Sequence, residues 1–265
     1  MTSEPVRSGR EYPGGVGMRL SKSDPLARAL VDAIHAGDVD SVTRLLGEHP
    51  GLASAELVDE KGGSGTPLHA AAEWPGFFPR APEVVAMLID AGGDPNVAVR
   101  GSWHSETPLH WAASSDDVEV ARALIDGGAE LETTGGSIAS GTPLDDAVGY
   151  SCWRVARLLV ERGALVNKLW HAAALGMIAR ADELLASGSH SQQDLTDALW
   201  MACNGGQRRM AEDLLARGAD LNGGPSWGGD NTPLEVAESP GDTGREALVT
   251  WLRKLGAKKS SKATA

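Results

Sequence analysis

The chain has 265 residues, and its 36 acidic against 24 basic residues give a formal net charge of -12. That balance opposes the counterion release that drives binding to nucleic acid, so no nucleic-acid partner is expected. No segment approaches ~18 consecutive apolar residues, so no membrane span is expected either. The only cysteines, Cys152 and Cys203, lack metal-type spacing and fit a reducing cytoplasm.

The first 24 residues, MTSEPVRSGREYPGGVGMRLSKSD, mix Pro, Gly and charge without an apolar run. They read as a disordered lead-in rather than a signal peptide. LVDAIHAGDVDSVTRLLGEHP at 30–50 is the first stretch with helical spacing. TPLHAAAEW at 66–74, TPLHWAASS at 107–115, TPLDDAVGY at 142–150 and TPLEVAESP at 232–240 follow a common pattern. The Thr hydroxyl can cap an orphan N–H and Pro has no N–H to leave unpaired, so each predicts a helix start. NKLWHAAALG at 167–176 and DALWMACNGG at 197–206 align on Leu169 and Leu199, which places Asn167 and Asp197 in the Thr slot as caps. The spacing of these six starts averages about 33 residues, the period of a stacked array. Each start leads to a second apolar segment, such as EVARALIDGGAELE or WRVARLLVERGALVN. The glycines that follow, Gly92, Gly127 or Gly128, Gly163, Gly188 and Gly218, are the expected helix stops.

TPLHWAA, LLVERGALVN and LLARGADLN resemble the ankyrin repeat, in a degenerate, bacterial-type form of about seven units whose outer members act as caps. The resemblance implies an all-α solenoid of paired antiparallel helices with β-hairpin-like finger loops. The expected division is a lead-in at 1–24, one elongated repeat domain at 25–257 and a disordered basic tail at 258–265. Cys203 stands in the second small position of the Ala-Ala pair, where it reads as core filler.

The departures from the pattern carry more functional information than the matches. WPGFFPRAPE inserts Trp74, Phe77 and Phe78 between the helices of unit two, either to cover a neighbouring helix end or to make a contact site. GALVNKLWHAAA leaves no room for a hairpin between units four and five, and SGSHSQQDLTDALW is also short, so the row of fingers should be interrupted there. The family's His slot holds His69 and His110, then Asp145, Trp170, Trp200 and Glu235. The resemblance implies that this His ties one unit to the next, so the later units need another tie. Eight of the aromatic residues are Trp, against two Tyr and two Phe, although an apolar core needs no indole N–H. Trp170 and Trp200 read either as packing over the missing hairpins or as parts of a site.

By position, the resemblance implies a concave binding face built from Glu73, Trp74, Ser114, Ser115, Gly149, Tyr150, Ala174, Leu175, Asn204 and Gly205. Its finger residues are Trp103, His104, Glu106 and Ile138, with Trp227 on the last loop. Trp170 and Trp200 are the candidates for a Trp-rich central groove that encloses an apolar molecule. Trp and Tyr bury large area with few rotors to freeze, which makes them the expected anchors. The first expectation is therefore a cytoplasmic scaffold that holds a protein partner. An alternative from another class is an enzyme or binder of an apolar small molecule, with Asp145 or Asp146 as general acid near Tyr150 and His171 and with burial raising the acid's pKa. No cofactor is implied. His104, Glu106, His110, Asp116 and Asp117 are not read as metal ligands, because a finger and a structural helix start do not present one fixed face.

Overall fold

A computed structural model describes residues 18–239 and 245–260. Among the described residues the helices fall into seven consecutive antiparallel pairs. They are α1 (Pro25–Ala36) with α2 (Val39–Glu48), α3 (Pro67–Ala71) with α4 (Ala81–Asp90), and α5 (Pro108–Ser114) with α6 (Val118–Asp126). Next come α7 (Pro143–Gly149) with α8 (Trp153–Glu161), and α9 (Leu169–Leu175) with α10 (Ile178–Ala186). The last two are α11 (Gln192–Asn204) with α12 (Arg208–Ala216), and α13 (Pro233–Glu238) with α14 (Glu246–Lys254). The first helices α1, α3, α5, α7, α9, α11 and α13 touch in that order, and the second helices α2, α4, α6 and α8 form a row behind them.

Close approach in the first row depends on small side chains. Ala71, Ala112, Ala147, Ala172 and Ala202 are each wholly buried, at the same position in successive units. The large buried side chains between the layers include Leu88, Leu124, Leu159 and Leu214. Gly92, Gly128, Gly163 and Gly218 follow second helices in the left-handed region, at φ of 95°, 95°, 100° and 101°. Gly188, which follows Ser187 at the end of α10, is not in that region.

Thr66, Thr107, Thr142 and Thr232 cap their helices with Pro in the first turn, as the sequence predicts. The two hidden starts differ from expectation. Lys168, not Asn167, caps α9 and makes no side-chain cap bond, because the Asn167 amide is turned back to Leu165 O at 3.1 Å and the chain enters the helix one residue later. Ser191, not Asp197, caps α11 through a capping box with Asp194. Asp197 therefore lies inside the helix, and its carboxylate accepts from Ser226 instead.

The front of the array carries a three-stranded sheet. β1 (Arg19–Ser21) pairs parallel with β2 (Glu56–Val58), and β2 pairs antiparallel with β3 (Ser64–Gly65). Within the stretch expected to be a loose lead-in, residues 19–21 are thus a strand, and Asp24 caps α1 by accepting from Leu26 N at 2.8 Å. Within the expected basic tail, Lys258 N donates to Asn222 at 2.7 Å and Ser260 N to Glu235 at 3.0 Å. Residues 1–17 and 261–265 lie outside the described residues.

In the insert of unit two, Phe78 stacks on His35 of α1 with ring centroids 4.2 Å apart. The neighbouring turn fits only because Gly37 has no side chain, since a Cβ there would meet Pro79 O at 2.1 Å. Phe78 therefore covers a neighbouring helix, whereas Trp74 and Phe77 stay exposed. Between α8 and α9 the chain runs through 162–168 without a strand, its Leu165 N held by Glu132 at 2.8 Å and its Val166 O by Arg180 at 2.7 Å.

Candidate protein-binding groove

The His slot explains how successive units are locked together. Thr66 N donates to His69 Nδ1 at 3.1 Å, which leaves the ring proton on Nε2, where it is donated to Glu106 O at 3.2 Å. Thr107, His110 and Gly141 O repeat the arrangement at 3.1 and 3.2 Å. Each His joins its own helix start to the carbonyl just before the next Thr. Burial favours the neutral ring, pushing His69 down to about 4 and lowering His110 as well.

Later units keep the tie with other chemistry. The Trp200 indole donates to Asn231 O at 2.8 Å, the carbonyl just before Thr232, so it does the work of the His ring. Glu235 caps Thr232 N at 2.8 Å and also accepts from Ser260. At the join without a finger there is no hairpin carbonyl to accept, and Asp145 serves as the acceptor instead. One oxygen takes Thr142 N at 2.7 Å, while the other takes Lys168 Nζ and His171 Nε2, the latter at 3.2 Å. Trp170 lies against the same cluster, edge-on to His171 at 4.1 Å and under Lys168.

The two neighbouring acids differ sharply. Burial would raise the Asp145 pKa, but hydrogen bonds from His171, Lys168 and Thr142 outweigh it and hold the carboxyl below the ordinary range. This corrects the expectation that burial would raise Asp145 into a general acid. His171 is lowered by its burial despite that carboxylate. Asp146 is the raised one, to about 6, chiefly by burial and further by the Glu106 charge. Its Oδ1 accepts Ile138 N at 2.8 Å and Ser137 Oγ at 3.3 Å, while Oδ2 is buried without a partner. Ser137 in turn meets the Tyr150 hydroxyl at 3.1 Å. Asp146 is wholly buried, and Gly136 covers it so closely that a Cβ there would meet Oδ2 at 2.6 Å.

Above Ser137 and Tyr150 opens a groove of about 500 Å³ lined by Glu73, Trp74, His104, Glu106, Trp111, Ser114, Ser115, Ser137 and Tyr150. Seven residues named from the sequence meet here: Glu73, Trp74, His104, Glu106, Ser114, Ser115 and Tyr150. The groove also contains Trp111 and Ser137, which sequence reasoning missed. Trp111 follows the slot His in TPLHW, where its indole donates to Glu106 Oε2 at 3.1 Å. Trp74 is 79% and Tyr150 50% exposed, so large aromatic area faces solvent.

The other candidates do not join this groove. Trp103 stands 99% exposed on its finger. Trp227 meets Trp200 edge to face at 5.6 Å, Leu175 is half-buried, and Asn204 is buried with its amide donated to Ser151 Oγ at 2.8 Å. Asp116 and Asp117 are spent on backbone N–H groups at helix starts, Asp116 on Val155 at 2.9 Å and Asp117 on Val120 at 3.2 Å. Burial pushes the Cys152 thiol up to about 11 and Cys203 up to about 12, so both are held as thiols. Among the described residues no helix is long and apolar enough to cross a membrane.

The family-model comparison agrees with this architecture over part of the chain. Residues 79–168 match the family model for ankyrin repeats, in three copies, so this stretch of the chain is similar to an ankyrin-repeat array. Among solved structures it is similar to the ankyrin repeat domain of Bcl-3, described as a unique member of the IkappaB protein family. That likeness is 25% in sequence identity, covers 85% of this chain and 97% of that one, and has a TM-score of 0.45. No curated protein matches the chain.

Proposed function

We propose that the protein is a cytoplasmic scaffold that holds a protein partner in the groove of units two to four, with Trp74, Trp111 and Tyr150 as aromatic anchors. The supporting observation is exposed aromatic area on first helices that are packed through wholly buried alanines and tied from unit to unit by His69 and His110. A surface already ordered loses little conformational freedom on association. Large aromatic side chains in such a surface carry much of the binding energy. Trp103 is a second contact on the finger, outside the groove.

The enzyme alternative needs an acid that substrate can reach. Asp145 is buried and held ionised, and Asp146 lies under Gly136. These placements favour the scaffold, and the same open groove is the place where an apolar small molecule would compete.

The test is affinity capture from native extract followed by mass spectrometry, with wild-type protein and with Trp74→Ala/Tyr150→Ala. A partner enriched on the wild type and lost from the double variant, both melting at the same temperature, supports the reading. Retention of every captured protein by the double variant refutes it. Trp103→Ala should leave folding intact, because its side chain touches solvent on nearly all sides.

A further inference from the structure

Resting on that reading, we propose that the groove recognises an arginine side chain of the partner segment. Glu73 and Glu106 line it, and no lining residue is Lys or Arg. Glu106 is engaged by the Trp111 indole, a neutral donor. Glu73 lies 3.7 Å from His35 Nε2, a ring already bonded to Ala70 O at 3.0 Å. Among the described residues neither carboxylate is neutralised by a permanent cation. The Glu106 charge is felt below the groove, where it helps to raise Asp146.

The aromatic members decide which cation fits. Trp74 and Tyr150 expose large ring area, and Trp111 lines the groove with them. A guanidinium can stack on an indole while donating in its own plane to carboxylates, whereas an ammonium is a compact and strongly hydrated charge. An acidic or uncharged segment seated here would leave both carboxylates desolvated without compensation. The preference is local, because beyond Glu73 and Trp111 the surface continues past Lys22 and Arg28.

The experiment is a fluorescence-anisotropy titration of the full chain with a short fluorescein-labelled Gly/Ser peptide carrying one central arginine. Matched peptides carry lysine, citrulline or glutamate instead. The arginine peptide should bind about tenfold more tightly than the citrulline peptide. That advantage should vanish in Glu73→Gln/Glu106→Gln and in Trp74→Ala, and survive in Glu161→Gln on the far layer. Gln at position 106 keeps an acceptor for the Trp111 indole, so the floor is preserved. Equal binding of arginine and citrulline peptides, or an arginine advantage untouched by the groove variants, overturns the proposal. If partner capture depends on Trp74 and Tyr150 while no arginine advantage is seen, the binding surface stands and the arginine assignment falls. An arginine advantage lost in the groove variants, with capture indifferent to them, upholds guanidinium recognition and removes the partner reading.

Discussion

Replacing Asp146 by Asn tests the electrostatics beneath the groove. The wild-type carboxyl titrates near 3.8 when unfolded and is raised to about 6 when folded. A group raised on folding favours the folded state fully below its unfolded pKa, and that contribution is lost as pH rises through the folded value. The difference of roughly two pH units corresponds to ~3 kcal/mol lost between about pH 4 and about pH 7. Asn does not titrate, and its carbonyl can still accept from Ile138 N. Its amide group would occupy the place of Oδ2, which has no partner, at a cost of ~1–3 kcal/mol that is the same at every pH. Stability of the variant minus that of the wild type, from urea unfolding followed by circular dichroism, should therefore rise by ~3 kcal/mol from pH 4 to pH 8. A difference that stays flat across that range would refute the account, because it would mean that burial under Gly136 does not penalise the charge.

Asp145→Asn should act in the opposite sense, lowering neutral-pH stability by ~3 kcal/mol, because it leaves Lys168 and His171 without their carboxylate. Since the wild-type pKa is depressed, that stabilisation should be present above about pH 4 and fade on acidification, which chemical denaturation at two pH values would show. Trp200→Phe should cost ~1 kcal/mol beyond any loss of packing, by leaving Asn231 O without its donor, and Trp200→His should recover part of it in thermal melts. Ala172→Leu should cost ~1–3 kcal/mol by overpacking the first row of helices, and an unchanged melting midpoint would contradict the tight contact assigned there.

The fold was legible wherever the signal was local. A Thr-Pro start announces itself because cap and first turn lie within four residues, and the alanine ladder follows by counting. The start of α11 was misplaced because Asp can cap a helix or sit inside one. The deciding signal was Ser191 three residues before Asp194, a capping box upstream of the aligned motif. The strand at Arg19–Ser21 is specified by pairing with Glu56–Val58, which no local pattern reveals. At the candidate site, position in the repeat was enough to find Trp74, Ser114 and Tyr150. The two acids were both noticed, but their divergence depends on Lys168 and His171, supplied from the next unit. Trp111 follows the slot His and so falls outside the positions that the repeat assigns to its binding face.

The join between units four and five has a consequence for how the array comes apart. In a stack where each unit touches only its neighbours, cooperativity is limited by the least stable interface. Here α7 and α9 make only slight contact, the finger is absent, and one carboxylate accepts the cross-link that a backbone carbonyl supplies elsewhere. A carbonyl cannot be protonated in ordinary acid, but a carboxylate can. Acidification well below about pH 4 should therefore divide the molecule into a front block that keeps the groove and a back block held by α9 and α11, with amide exchange at 162–168 accelerating before that in either block.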